Sequence, residues 1–300
     1  MACIFKGGCV TTVANYRVTS AEVIDALVDL KRLPSFSNTL AEFDRLVNQA
    51  AGTHVEEVAK LLQSDPRMMA GVITTANTAR YARGGQKVTR LIDAVKLLGV
   101  KDVRAMIMAL SFLDVFQGGV AIDADAFLKH SLVSGFIAKN LAKTFKVAEY
   151  DAFLMGLFHE IGVYILATYS EKGFALVVEK SHQNLKYYLS AEREVFGVTH
   201  SSVGARIISH WHMPEIVVRG VLGHHSPARI ELQYQNAAYL TFLAESGAIY
   251  LGVFNGVVEG VEGVLRDSVL RVLQKQGICE EDFLNAVEKG YQEAQSVGLI

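Results

Sequence analysis

Proline is almost missing from this chain, with four in 300 residues. Each proline removes a backbone donor and breaks a helix, so its scarcity leaves long helical stretches open along most of the length. Cysteine is as rare. Cys3, Cys9 and Cys279 are an odd number with no CxxC pair, which argues against a disulfide framework or a thiolate zinc site and fits free thiols in a reducing compartment. A cationic excess is also lacking: 29 Lys and Arg against 31 Asp and Glu give a formal net charge of −2. That is a poor footprint for nucleic acid, which needs a basic face to displace counterions. Arg80, Arg83, Lys87 and Arg90 form a short basic cluster that reads as a solvated loop. No segment supplies the ~18 uninterrupted apolar residues of a membrane span. The first residues have neither the order of a secretory leader nor the Arg-rich amphipathic character of a transit segment. The expectation is a cytoplasmic protein with no membrane partner.

What is present is apolar and periodic: 51% of residues are hydrophobic and 20% charged. Apolar residues recur at helical spacing. Ile24, Leu27, Val28 and Leu30 predict a first helix closed by Leu33-Pro34, and Leu40, Phe43 and Val47 a second. Thr53 and Glu56 make a capping box before a third, and Asp65-Pro66 should N-cap a fourth. Leu91 to Leu98 forms a stripe ending at Gly99, and another helix runs from about Asp102 to Leu113. Gly118-Gly119 is the candidate boundary between two lobes. Beyond it the spacing predicts helices over about 125–143, 151–168, 199–211, 214–224, 236–248, 264–275 and 280–293. Val177-Val178 and 249–257 have β-branched character without a pairing pattern. The fold class is all-α.

The run from Phe153 to Ala167 is nearly all apolar, yet His159-Glu160 sits in its middle. A carboxylate buried without a partner costs several kcal/mol or more. The pair must therefore be protonated, hydrogen-bonded, salt-bridged or bound to metal. Eight of the nine histidines lie between 130 and 225. His130 shares an apolar helix face, His200 opens a helix, His224-His225 close one, and Glu245 lies on a helix with Thr241 and Phe242. Taken singly, each reads as a hydrogen-bonded core residue or a helix-end histidine. Together, imidazole and carboxylate suit Fe, Mn, Zn or Ni, and helical bundles build metal sites from inward-facing side chains.

The order His130, His159-Glu160, His200, His224-His225, Glu245 resembles the metal-site order of the HD phosphohydrolase superfamily. Leu33-Pro34-Ser35-Phe36, Leu61 to Pro66, Ile73 to Thr78, Ala94 to Gly99, Val203-Gly204-Ala205 and Trp211 to Ile216 are similar to the HDOD (HD-related output domain) pattern. The resemblance covers about residues 25–225. It implies an N-terminal helical lobe packed on an HD-like helical bundle, with 1–19 an extension, 20–118 the first lobe, 119–230 the HD-like lobe and 231–300 helices completing it. It also implies His130, His159, Glu160, His200, His224, His225 and Glu245 as ligands of one or two divalent metal ions.

The sequence departs from that pattern in ways that bear on chemistry. Glu160 and Glu245 stand where the superfamily uses Asp. The related HD-GYP cyclic-di-GMP phosphodiesterases carry a lysine where Val163 stands, and a Gly-Tyr-Pro motif where Ser226-Pro227-Ala228 follow the His pair. Cyclic-di-GMP hydrolysis is therefore not expected. The reading is a regulatory, signal-transducing module that binds a signalling protein, a small ligand or a nucleotide, with a vestigial or altered metal site. The alternative is a metal-dependent phosphohydrolase acting on a phosphoester or nucleotide. A helix-turn-helix spacing around Leu98-Gly99-Val100 is weaker, because helix–turn–helix geometry is common in any bundle and the charge is near neutral. His54, His182, His210 and His212 are assigned no role in the site.

Overall fold

The computed structural model describes residues 38–47, 55–77, 87–115, 122–211, 213–258 and 264–296. The first predicted helix, Thr53, Arg80, Arg83, Gly84-Gly85 and the Gly118-Gly119 boundary lie outside the described residues. Among those described there are no strands, and the all-α class holds.

Among the described residues the helices begin with α1 (Asn38–Val47), α2 (Val55–Gln63), α3 (Pro66–Ala76) and α4 (Leu91–Val115). The Asp65 carboxylate accepts from the Met68 amide at 3.4 Å, so it caps α3 as its sequence predicts. Asn77 does more than end that helix. Its side chain donates to the carbonyls of Ile73 and Val88 and accepts from the Val88 amide at 2.7 Å, pinning the chain that leads into α4. The two helices expected on either side of Gly99 are both present within α4, meeting at a kink where Gly99 leaves helical geometry. Gly99 has φ 77°, a left-handed conformation that glycine tolerates.

Ten more helices follow: α5 (Ala124–Leu141), α6 (Glu149–Phe158), α7 (Ile161–Tyr169), α8 (Glu171–Ser181), α9 (Leu185–Phe196), α10 (His200–His210), α11 (Glu215–Gly223), α12 (Gln235–Tyr250), α13 (Val264–Gln276) and α14 (Glu280–Ser296). Short 3₁₀ turns at Pro227–Arg229 and Leu232–Tyr234 join α11 to α12. α5 is the axis of this bundle. It is buried on every side from His130 to Ala138 and packs against α6, α12 and α14, as expected of a helix apolar all round.

Two expectations are corrected. The helix predicted over 151–168 is two helices, α6 and α7, broken at His159-Glu160, where Glu160 adopts φ −96°, ψ 0°. The 3.6-residue periodicity runs through the break because residues 152–167 are buried without interruption, so hydrophobic pattern could not mark it. By length and composition 149–169 could cross a membrane, but 89% of its most apolar window is buried within the protein. Residues 170–198, given no helices by the pattern, form α8 and α9. Ser170 and Asn184 cap them by accepting from the amides of Gly173 and Lys186, a signal that apolar spacing does not read. The β-branched stretch at 249–257 is the end of α12 and the loop after it.

Candidate metal centre

The break between α6 and α7 places His159 and Glu160 side by side at the middle of the bundle. α7 then crosses α10 in backbone contact: a Cβ on Gly162 would run into the carbonyl of His200. Only glycine permits that approach, and it brings the first turn of α10 onto Glu160. On the other side of the break, Gly156 lies against the backbone of Ser134, one turn beyond His130 on α5. Thr199 caps α10 by accepting from the Ser202 amide, and α11 ends at His224. The seven side chains singled out by the sequence thus reach one place from α5, the α6–α7 break, α10, the end of α11 and α12.

Their contacts form a continuous cluster. His130 Nε2 lies 3.2 Å from His159 Nε2, and His159 Nε2 lies 3.9 Å from Glu160 Oε1. Glu160 Oε1 is 3.7 Å from His200 Nε2. His200 Nε2 is 3.4 Å from His224 Nε2 and 2.9 Å from His225 Nε2, and His225 Nδ1 is 3.9 Å from Glu245 Oε2. All are buried. His130, His159, Glu160, His200 and His224 are 1% exposed or less, and Glu245 is 4% exposed.

Four of the five imidazoles are turned the same way, with Nδ1 backed by an acceptor. His130 Nδ1 donates to the Val253 carbonyl at 2.8 Å, His159 Nδ1 to Gly156 at 2.8 Å and His224 Nδ1 to Val221 at 2.6 Å. His200 Nδ1 faces both oxygens of Glu192 at 2.9 Å, and that carboxylate also accepts from the His200 amide. A carbonyl can only accept, so the Nδ1 atoms of His130, His159 and His224 carry hydrogen and their Nε2 lone pairs point inward. Backing Nδ1 with an acceptor is how proteins orient metal-binding histidines.

Charge reinforces this. Burial pushes His130 down and His159 well down, against the pull of Glu160, so both rings are neutral. Burial lowers His224 to about 4, with the His200 charge adding to it, and His225 also lies well below the ordinary range. His200 behaves oppositely: burial alone would lower it, but Glu192 and Glu160 hold it at about 9. Burial would raise Glu160, yet the surrounding imidazoles, the charged His200 foremost, outweigh it and hold the carboxyl at about 2. Glu245 is pushed well up by burial and by Glu160. A proton on His200 can serve its own contacts. It does nothing for His130 and His159, whose neutral rings face each other nitrogen to nitrogen with no hydrogen between them.

The donors fit a metal. Glu160, His200, His224 and His225 form one group, and His159, Glu160 and Glu245 a second. Within each group every side chain offers a donor atom, all within 4.8 Å of one another. Glu160 belongs to both.

Sequence reasoning missed two residues that shape the cluster. Glu192, 1% exposed on α9, holds His200 from eight residues away, and α9 itself was not predicted. Asn255 donates to Glu160 Oε2 at 3.3 Å and accepts from the amides of Val257 and Val258, which fixes it in the loop after α12. A lone Asn in a loop carries no local signal for such a role. Val163 is fully buried in the core of α7. His182 and His210 stand exposed outside the cluster, whereas His54 and His212 lie outside the described residues.

A family model described as HDOD domain matches residues 33–227. Among solved structures, an HDOD domain protein of unknown function from Geobacter sulfurreducens is 21% identical, with TM-score 0.72, over 94% of this chain and 98% of that one. A candidate phosphohydrolase from Shewanella amazonensis SB2B is 20% identical, with TM-score 0.70, over 91% and 98%. A candidate signal-transduction protein from Marinobacter aquaeolei VT8 is 20% identical, with TM-score 0.67, over 93% of this chain and 64% of that one. At such identities the likeness concerns the fold. An uncharacterised protein of Treponema pallidum (strain Nichols) is 21% identical over 219 residues, and the match spans 41% of its length.

Proposed function

The chain belongs to the HDOD domain family, and from that membership we propose that it is a regulatory, signal-transducing module whose buried cluster holds one or two divalent transition-metal ions. The observation that carries the metal half is the contact between His130 and His159 at 3.2 Å, with both Nδ1 atoms already donating to carbonyls. Two lone pairs pointed at each other repel, and a cation removes the conflict. Fe, Mn, Zn or Ni suits imidazole with carboxylate. His130, His159, Glu160, His200, His224, His225 and Glu245 would hold it, with Glu160 common to both donor groups. When bound, such an ion supplies Lewis acidity. The protein's part is to hold the His130, His159, His224 and His200 rings in place, through Val253, Gly156, Val221 and Glu192.

The regulatory half is supported by the closed setting of the cluster and by Val163, an apolar core residue where a phosphate-steadying lysine would be needed. Its partner would be a signalling protein, a small ligand or a nucleotide. Nucleic acid is not proposed for a chain of formal charge −2.

One observation favours a second reading, a metal-dependent phosphohydrolase acting on a phosphoester or nucleotide. The two donor groups share Glu160, and two-metal hydrolases set ions ~3.5–4 Å apart on shared ligands. The readings separate by turnover. Full-length protein loaded with Mn(II) or Fe(II) is incubated with bis(p-nitrophenyl) phosphate and a panel of nucleotides. The regulatory reading expects retained metal and no release above a metal-only control. Steady turnover that disappears in His159→Ala would favour the hydrolase.

A further inference from the structure

Tyr188 is a buried phenol with no assigned work. It is 1% exposed, and its hydroxyl has no hydrogen-bond partner. A buried donor left unpaired is costly, and a native one calls for a group that the protein itself does not supply. Its position says which group. Tyr188 stands one turn before Glu192 on α9, so the two side chains share a helix face. Glu192 holds His200, and the Tyr188 ring lies beside the His200 imidazole at 5.9 Å between centroids. A phenol keeps its proton at neutral pH, so this hydroxyl is a donor. An obligate donor without an acceptor therefore sits beside the proposed metal centre.

Resting on the metal-centre reading above, we propose that the Tyr188 hydroxyl donates a hydrogen bond to the non-protein oxygen ligand of that centre, a water or hydroxide at rest and an oxyanion of the phosphate class when one binds. Tyr188 is a positioning residue: it touches the exogenous ligand and leaves the metal to the histidines and carboxylates. It gives the centre a preference for ligands that present an oxygen acceptor, which a wall of carbon would not give.

The test compares the full chain with Tyr188→Phe, a change that keeps the ring and removes only the hydroxyl. Both are loaded with Co(II), whose visible bands report its ligands, and titrated with inorganic phosphate. Metal content and thermal midpoint are measured alongside. The expected result is equal Co(II) content, an unchanged or higher midpoint without phosphate, and phosphate affinity weaker by about tenfold in Tyr188→Phe. Equal phosphate affinity at equal metal content overturns the role of Tyr188 and leaves the metal centre standing. Wild-type bands indifferent to phosphate overturn it too, because the centre then takes no such ligand. Failure of the wild type to bind Co(II) removes the metal-centre reading and this proposal with it. Should Tyr188→Phe lose its fold, Tyr188→His, which restores a ring donor, is titrated in its place, and an affinity nearer the wild type than the apolar variant Tyr188→Leu supports the assignment.

Discussion

A metal-binding imidazole depends on which nitrogen it leaves free, and at the residue scale that choice is made here by acceptors behind four of the five rings. Three of those acceptors are backbone carbonyls, beyond the reach of substitution. The fourth is the Glu192 side chain, 2.9 Å from His200 Nδ1. Glu192→Gln keeps the shape and weakens the acceptor, so metal affinity measured by chelator competition should fall about 10–100-fold. Glu194→Gln, on the exposed face where Glu194 pairs with Lys180 at 2.8 Å, should leave it unchanged. His159→Ala removes one partner of the nitrogen–nitrogen contact and should abolish metal retention on gel filtration with little loss of helix content by circular dichroism. The seven candidate ligands were legible because a His-Glu pair in an apolar run is conspicuous and because their order resembles a family's. Glu192, Asn255 and Tyr188 were not legible. Each acts through a contact made only by the fold: Glu192 with His200, Asn255 with Glu160 ninety-five residues away, and the Tyr188 ring with the His200 imidazole.

At the scale of elements, the site is made by a break and a crossing. The chain leaves helical geometry at His159-Glu160, and α7 then passes the start of α10 with only glycine between. Gly162→Ala would set a methyl group against the His200 carbonyl, a backbone atom that cannot rotate aside. The expected cost is about 3 kcal/mol, the upper range for overpacking a dense core, seen as a lower denaturant midpoint, with metal lost as well because His200 moves off Glu160. A control, Gly252→Ala, adds its methyl in open space and carries only the strain of φ 73°, so it should keep the metal. Helix positions were largely readable from apolar spacing and caps: Asp65, Pro66, Thr199 and Pro214 all mark observed starts. The α6–α7 break was hidden because burial on every side leaves no polar face to go out of phase. α8 and α9 were hidden because Ser170 and Asn184 cap them with no long apolar stripe to follow.

Across the whole molecule, the main contact among the described residues between α1–α4 and the later helices is α4 against α6. That junction is polar at its heart. Arg104 on α4 donates to both oxygens of Asp44 on α1, at 2.5 and 2.7 Å, and to the Tyr150 hydroxyl on α6 at 2.6 Å. Tyr150 in turn donates to the Met108 sulfur at 3.3 Å. Since α6 runs from Tyr150 to the His159 break, this knot ties the first helices to the element that bears the candidate ligands. Arg104→Met should lower stability by about 1–3 kcal/mol through the stranded Asp44 and Tyr150 groups, while metal content stays at the wild-type level. Neither the knot nor its reach was visible in sequence, since Asp44, Arg104 and Tyr150 are separated by 60 and 46 positions. The account rests on the claim that the buried cluster binds metal, and elemental analysis by plasma mass spectrometry tests it most directly. Full-length protein is purified without chelator from cells supplied with Fe, Mn, Zn and Ni, beside a His159→Ala/His200→Ala double variant of verified helix content. The account predicts about one ion or more per chain in the wild type, as a site of this donor set would retain, and loss of nearly all of it in the double variant. Equal, substoichiometric metal in both would contradict it.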